Sequence, residues 1–360
     1  MSKAHYIIPI FVPHEGCPHN CVFCNQSSIT GSVAKVDGDF VKNTIEKYLN
    51  TIPDKGGTIE VSFFGGTFTA IAIEKQKELL SVAKEYKKTN KIQYIRLSTR
   101  PDYINEYILN NLKAYDVDII ELGVQSLDSE VLIKSQRGHS EEDVINASEL
   151  IKSYGFTLGH QIMIGLPGDS FLKDMETTEK LIKLKPEIVR IYPALVIKDT
   201  PMETMYLNKT FIPFTLEETI KISKAVYGRF ITSGIKVIRA GLQPTEQINE
   251  GKDLIAGPFH PAFRELVEGS IINDMFSLAI PLAYEGEVTI RVNSKDVSKL
   301  YCNRKLFFND MKNNLNAFSI NVIQDNSLER GIFQVEMDTT YLNLSVSTYV
   351  AAKYKEGYLC

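Results

Sequence analysis

Cys17, Cys21 and Cys24 fall inside the stretch GCPHNCVFCNQ, in a chain of 360 residues that holds only five cysteines. The spacing C-x-x-x-C-x-x-C gathers three soft thiolate ligands into one short loop, a donor set for zinc or for an iron–sulfur cluster. Structural zinc takes four ligands, and His14 and His19 stand close enough in sequence to offer the fourth. A cluster with one iron left open needs only the three, and an open iron is what binding and reductively cleaving a cofactor requires. An odd cysteine count and so tight a triplet argue against a disulfide framework.

Five further stretches carry residues able to do chemistry. FFGGTFTA holds Gly65, Gly66 and Thr67, and a pair of glycines also makes a plain tight turn. LSTRPDYI holds Ser98 and Arg100, the latter equally suited to a structural ion pair. ELGVQSLDSEVLIKSQRGHS holds Gln125, Arg137 and His139, where Arg137 as a solvated helix-end cation and His139 as a turn residue are the bland alternatives. GHQIMIGLPGDS holds His160, which would also serve as a core histidine, and Gln161. RIYPALVIKDTPM holds Tyr192 and Lys198, and simple packing would account for Tyr192.

With Phe23 as the aromatic before its last cysteine, the triplet resembles the radical S-adenosylmethionine signature. The motifs from residue 5 to 240 follow in the order of the Elongator catalytic-subunit branch, which modifies tRNA, and more distantly of the oxygen-independent coproporphyrinogen oxidases. The resemblance implies that Cys17, Cys21 and Cys24 bind a [4Fe–4S] cluster whose fourth iron chelates S-adenosylmethionine. Reductive cleavage then yields a 5′-deoxyadenosyl radical that abstracts hydrogen from a substrate. It implies cofactor contacts for Phe23, for Gly65, Gly66 and Thr67 near the methionine amino group, and for Gln125 at the nucleoside. Arg137 would take the methionine carboxylate, a pairing that suits a planar guanidinium. Gln161 would lie near the ribose, Gly165-Leu166-Pro167 would wall the adenine, and Tyr192 and Lys198 would face the substrate. Where that branch carries Glu, this chain has Ser98, which is shorter and neutral. The resemblance further implies a flavodoxin- or ferredoxin-like electron donor, tRNA or another RNA as partner, and an oxygen-sensitive protein. It does not extend to an acetyltransferase domain, so acetyl-transfer chemistry is not carried over from it.

These motifs need a scaffold that brings them together. Strand-like runs at 6–12, 58–64, 91–98, 118–124, 157–165, 187–195 and 236–241 alternate with helix-period segments at 39–50, 72–88, 103–114, 140–154, 171–184 and 215–233. Ser140 with Asp143 and Thr215 with Glu218 read as helix starts. Strict alternation without hairpin signals predicts an α/β fold with a parallel sheet. Six such units predict a partial (β/α)6 TIM-like barrel, in which chemistry sits at the C-terminal strand ends, where every motif above falls. The expected domains are a core barrel over 1–241, a linker and helical connection over 242–284, and a small C-terminal α+β domain over 285–360. The turn-rich segment from Gly241 to Pro261 marks the boundary. In the last region a helix is expected at 262–276. Then β-α-loop-α-β from Val288 to Val322 has the outline of a KH-like RNA module whose loop, Tyr301-Cys302-Asn303-Arg304, lacks the expected glycines. Lys295, Lys299, Arg304, Lys305 and Lys312 make that stretch basic; a plain structural cap is the alternative. GIFQVEM and YLNLSVSTYV are expected as closing strands.

The net charge of −4 and pI near 6 argue against a strongly basic nucleic-acid binder while allowing a local patch. No signal peptide and no membrane span is legible, so a cytoplasmic protein is expected. The leading expectation is a radical enzyme acting on RNA. Radical chemistry on a small molecule, tetrapyrrole or peptide, and a non-catalytic iron–sulfur binding or sensing protein, are the other classes.

Overall fold

The computed structural model describes residues 5–12, 17, 19–25, 36–53, 57–242, 248–249 and 251–355. The chain divides into two compact units, Met1–Phe214 with Gln243–Pro258, and Thr215–Leu242 with Phe259–Cys360.

The first unit is built on six parallel strands: β1 (His5–Val12), β2 (Thr58–Gly65), β3 (Tyr94–Thr99), β4 (Ile119–Gln125), β5 (Thr157–Ile164) and β6 (Ile188–Pro193). Each pairs with the next in sequence order. Between them run the helices α1 (Gly38–Leu49), α2 (Ile73–Lys88), α3 (Glu106–Ala114), α4 (Ser129–Lys134), α5 (Glu141–Ser153) and α6 (Phe171–Leu184). Parallel neighbours require such crossovers, and the sheet curls into the expected partial barrel. A further helix α7 (Pro201–Leu207) and a short antiparallel pair, β7 (Val196–Ile197) with β9 (Leu254–Ala256), complete the unit.

Alternation along the strands sorts the residues by face. Ile8, Ile10, Val61, Phe63, Ile95, Leu97, Ile120, Leu122, Leu158 and Ile162 are buried on the helix-facing side. The opposite parity faces the lumen, and deep in it sits an ion-pair chain. Arg96 donates to Glu60 at 2.9 Å and to Glu121 at 2.7 Å. Arg190 Nε donates to both Glu121 oxygens at 3.0 Å. Ser62 donates to Glu60 at 2.6 Å, and His5 adds a contact at 3.1 Å. Glu60, Arg96, Glu121 and Arg190 are all buried, so their mutual pairing is what makes the burial tolerable.

Helix starts follow the sequence signals. Ser140 and Thr215 both form complete capping boxes, with Asp143 and Glu218 returning the hydrogen bond. The missed elements are short: α4, α7 and the β7–β9 pair lie below the length at which periodicity registers.

The second unit contains α8 (Leu216–Thr232), β8 (Lys236–Ala240), α9 (Phe263–Ala279) and a four-stranded sheet. That sheet has the order β11 (Ser319–Gln324), β10 (Glu287–Val292), β12 (Ile332–Met337), β13 (Thr340–Ser345). β10 and β11 are parallel and joined through α10 (Val297–Leu300) and α11 (Leu306–Asn313), so the β-α-α-β order is present. Phe276, Val288, Ile290, Leu300, Phe308, Phe333 and Val335 make its core. In the connecting loop Asn303, Arg304 and Lys305 take left-handed φ values of 52°, 53° and 66° in succession, without a glycine. The expected final strand over 341–350 is shorter. It stops at Ser345, whose hydroxyl caps the helix α12 (Val346–Tyr354) by accepting from the Thr348 N–H.

Candidate active site

The cysteine segment follows β1 and is tied at its centre by main chain. The Val22 N–H donates to the Ser135 carbonyl, just past α4, at 3.2 Å, and the Val22 carbonyl accepts from Met202 at the start of α7 at 2.9 Å. The Cys24 N–H closes a turn onto the Cys21 carbonyl at 3.1 Å. Phe23 wedges between two apolar groups, Val196, Met202 and Phe211 on one side and Val131, Leu166 and Ala194 on the other. Phe23 thereby joins the cysteine segment to the Gly165-Leu166-Pro167 turn.

Two strand ends reach the thiols. At the end of β2, Gly65 has φ 115°, and a β-carbon there would lie 2.5 Å from the Val12 carbonyl oxygen. Only glycine permits this approach. The Gly66 N–H takes the same carbonyl at 3.0 Å, and the buried Thr67 hydroxyl comes to 3.8 Å of Cys17 Sγ. Beyond β4, Arg137 Nη1 donates to Cys21 Sγ at 3.2 Å and Nη2 donates to the Gly123 carbonyl at 2.5 Å. Arg137 is 5% exposed, so it is no solvated helix-end cation.

Gln125 and Gln161 meet across adjacent strands, with the Gln161 amide donating to the Gln125 oxygen at 2.7 Å. Tyr192 lies on the lumen face of β6, where its hydroxyl accepts from Arg190 at 3.3 Å. Ser98 is half-buried on β3, and its side chain makes no hydrogen bond among the described residues. The backbone of Lys198 is engaged, its N–H with Asp253 and its carbonyl with the Asn25 amide. Arg100 is buried in a two-pronged pair with Asp102 at 2.9 Å, the structural role.

The two histidines part from the site in different ways. His160 points away from the lumen, 2.9 Å from Ser148 of α5. Complete burial drives its pKa down to about 3. His139 is buried with neither ring nitrogen bonded among the described residues. Burial first, then the charges of Arg137 and Arg100, also lower it to about 3.

Sequence reasoning missed a carboxyl pair under the Gly165–Gly168 turn. Asp169 accepts from the Gly165 N–H at 3.0 Å and the Ser170 N–H at 2.8 Å. Burial raises its pKa, and burial together with Asp169 raises that of Asp174 well above the usual carboxylate range. The lumen ion pairs were missed as well, although a charged residue at the third place of β2, β3, β4 and β6 was a readable signal.

The donor set can be tested against the group it would hold. No three described Cys, His, Asp or Glu side chains close on a single point, as mononuclear zinc would require. His14 lies outside the described residues, and His19 lies across Gly138, where a β-carbon would collide with its ring. Cys17, Cys21 and Cys24, three soft donors in one short segment, would suit an iron–sulfur cluster. The buried guanidinium at Cys21 fits the same negatively charged group.

Comparison with known proteins agrees. Two family models match successive parts of the chain, the radical SAM superfamily over residues 11–182 and the radical SAM C-terminal domain over residues 186–273. The tRNA uridine(34) acetyltransferase of Methanocaldococcus jannaschii is 30% identical over 264 residues, covering 60% of this chain and 47% of that protein. The oxygen-independent coproporphyrinogen-III oxidase-like protein HemZ of Bacillus subtilis is 28% identical over 196 residues, covering 51% of this chain and 38% of that protein. The chain spans about half the length of the curated acetyltransferase relatives it matches. Among solved structures, the archaeal Methanocaldococcus infernus Elp3 with an N-terminal deletion covers 93% of this chain and 74% of its own, at TM-score 0.61 and 21% identity, a likeness of fold. Among the described residues no helix is long and apolar enough to cross a membrane.

Proposed function

Because the chain belongs to the radical SAM superfamily, we propose that it is a radical enzyme that modifies RNA, with a tRNA base as its target. Cys17, Cys21 and Cys24 would hold a [4Fe–4S] cluster, and S-adenosylmethionine would lie against it at the strand ends. Bound together, these groups supply a hydrogen-abstracting radical once an electron arrives from a flavodoxin- or ferredoxin-like donor.

One observation carries the reading: Thr67, just past β2, and Arg137, in the loop after α4, are far apart in sequence and both reach sulfur atoms of the same triplet. The protein's own contribution is orientation. Gly65 and Gly66 bring main chain to the rim, Gln125 and Gln161 hold each other's amides over the lumen, and Tyr192 is held in place by Arg190. The RNA target is supported by the relatives that carry tRNA uridine(34) acetyltransferase as their name. The β-α-α-β unit adds support, since its loop takes a left-handed turn beside Arg304 and Lys305.

The test is anaerobic reconstitution followed by dithionite, S-adenosylmethionine and total tRNA, with 5′-deoxyadenosine quantified. A Cys17/Cys21/Cys24→Ala variant serves as control. The expected result is product from the intact triplet alone and more of it with tRNA. Absence of product from protein with a full iron complement would overturn the radical reading, and product indifferent to tRNA would overturn the RNA target.

A further inference from the structure

We infer that Arg137 sets the reduction potential of the group held by Cys21, through its hydrogen bond to the ligating sulfur. The inference rests on the cluster proposed above and concerns a role separate from any contact with S-adenosylmethionine.

The argument begins with charge accounting inside the barrel unit. Arg96, Arg100, Arg137 and Arg190 are all buried there, and a guanidinium stays protonated under every ordinary condition. Arg96 faces Glu60 and Glu121, Arg100 faces Asp102, and Arg190 faces Glu121. Arg137 alone of the four has no carboxylate partner among the described residues. A buried cation without a counter-charge is costly, and the group its Nη1 touches is Cys21 Sγ at 3.2 Å. The missing negative charge is the thiolate and the cluster it carries.

The position is enforced. Nη2 is anchored on the Gly123 carbonyl, and a β-carbon at Gly123 would lie 3.3 Å from that nitrogen, so glycine leaves the guanidinium its room. Nε is buried and unbonded among the described residues, leaving one donor unused by protein. A fixed cation donating to a ligand sulfur favours the state with more negative charge on the cluster, which is the reduced one. Arg137 therefore makes the cluster easier to reduce and acts as a positioning residue.

The test compares wild type, Arg137→Gln and Arg137→Lys after anaerobic reconstitution, all without S-adenosylmethionine. Iron and sulfide content, circular dichroism and the cluster midpoint potential by EPR-monitored redox titration are read. Expected is a shift to more negative potential in Arg137→Gln, with Arg137→Lys between it and wild type. If Arg137→Gln folds without retaining iron while Arg137→Lys retains it, charge compensation is likewise supported. Equal potentials in the three proteins, or loss of iron from both variants with the fold intact, would overturn the inference. A wild type that takes up no cluster would instead overturn the functional reading beneath it.

Discussion

The Gln161 amide donates to the Gln125 side-chain oxygen at 2.7 Å, and Gln125 reaches this position from a left-handed backbone with φ 68°. The β4–β5 register shifts between Gly123 and Gln125, so the turn of the chain aims the side chain at its neighbour. Each amide keeps hydrogen-bonding capacity for a ligand. Gln161→Leu should leave the fold within about 1 kcal/mol of wild type and weaken S-adenosylmethionine binding about tenfold, the value of one lost hydrogen bond. Equilibrium dialysis on reconstituted protein measures it.

Glu121 lies between Arg96 and Arg190 and bonds to both. Glu121→Gln leaves two buried guanidiniums short of charge, and a loss of about 3–5 kcal/mol in urea unfolding is expected. A loss below about 1 kcal/mol would mean that Glu60 and solvent neutralise both.

Asp174 is a buried acid whose folded pKa lies above its unfolded value, as does that of Asp169. Such groups stabilise fully below the ordinary carboxylate range, and the contribution drains away as pH rises through the folded values. Asp174→Asn should remove much of that decline. Thermal unfolding of both proteins across pH 4 to 9 shows it, since the two curves should converge at acid pH and part at alkaline pH.

His139 and His160 act in the opposite direction. Both are lowered to about 3 by burial, so their contribution is present above the unfolded value near 6.5 and is lost as pH falls toward 3. Each group adds a slope of about 1.4 kcal/mol per pH unit in that window. His160→Gln should flatten the acid limb, read by urea titrations at pH 4, 5 and 7.

Arg304 is exposed and left-handed at φ 53° and ψ 35°. Arg304→Gly removes a backbone strain of about 1 kcal/mol and should raise the unfolding midpoint while weakening retention on immobilised tRNA. Gain in stability with unchanged retention would detach the C-terminal unit from RNA.

The parallel strands and their helices were legible in the sequence because alternation and period repeat over many residues. Ser140 and Thr215 announced their helices through the acid three positions on. The cysteine triplet was legible because its three members lie within eight residues of one another in the chain. What stayed hidden depends on partners distant in sequence. His160 shares the parity of Leu158 and Ile162 and so the helix-facing side, but its partner Ser148 comes from a different element, which no spacing rule reveals. The lumen pairing of Glu60, Arg96, Glu121 and Arg190 needs the parallel strands assembled side by side before any two of them meet. The helix at Val346–Tyr354 hid behind β-branched residues, and the Ser345 cap that starts it looks like any strand serine.

Four interlocked charges close the lower lumen, and this imposes an order of events. Side chains tied to one another in this way leave the C-terminal strand ends as the open end of the lumen. On the proposed function, S-adenosylmethionine fills the deeper position against the cysteines and RNA closes over it. The first to dock is then the last to leave, and turnover follows a compulsory sequence, with excess RNA trapping spent cofactor fragments and slowing the cycle.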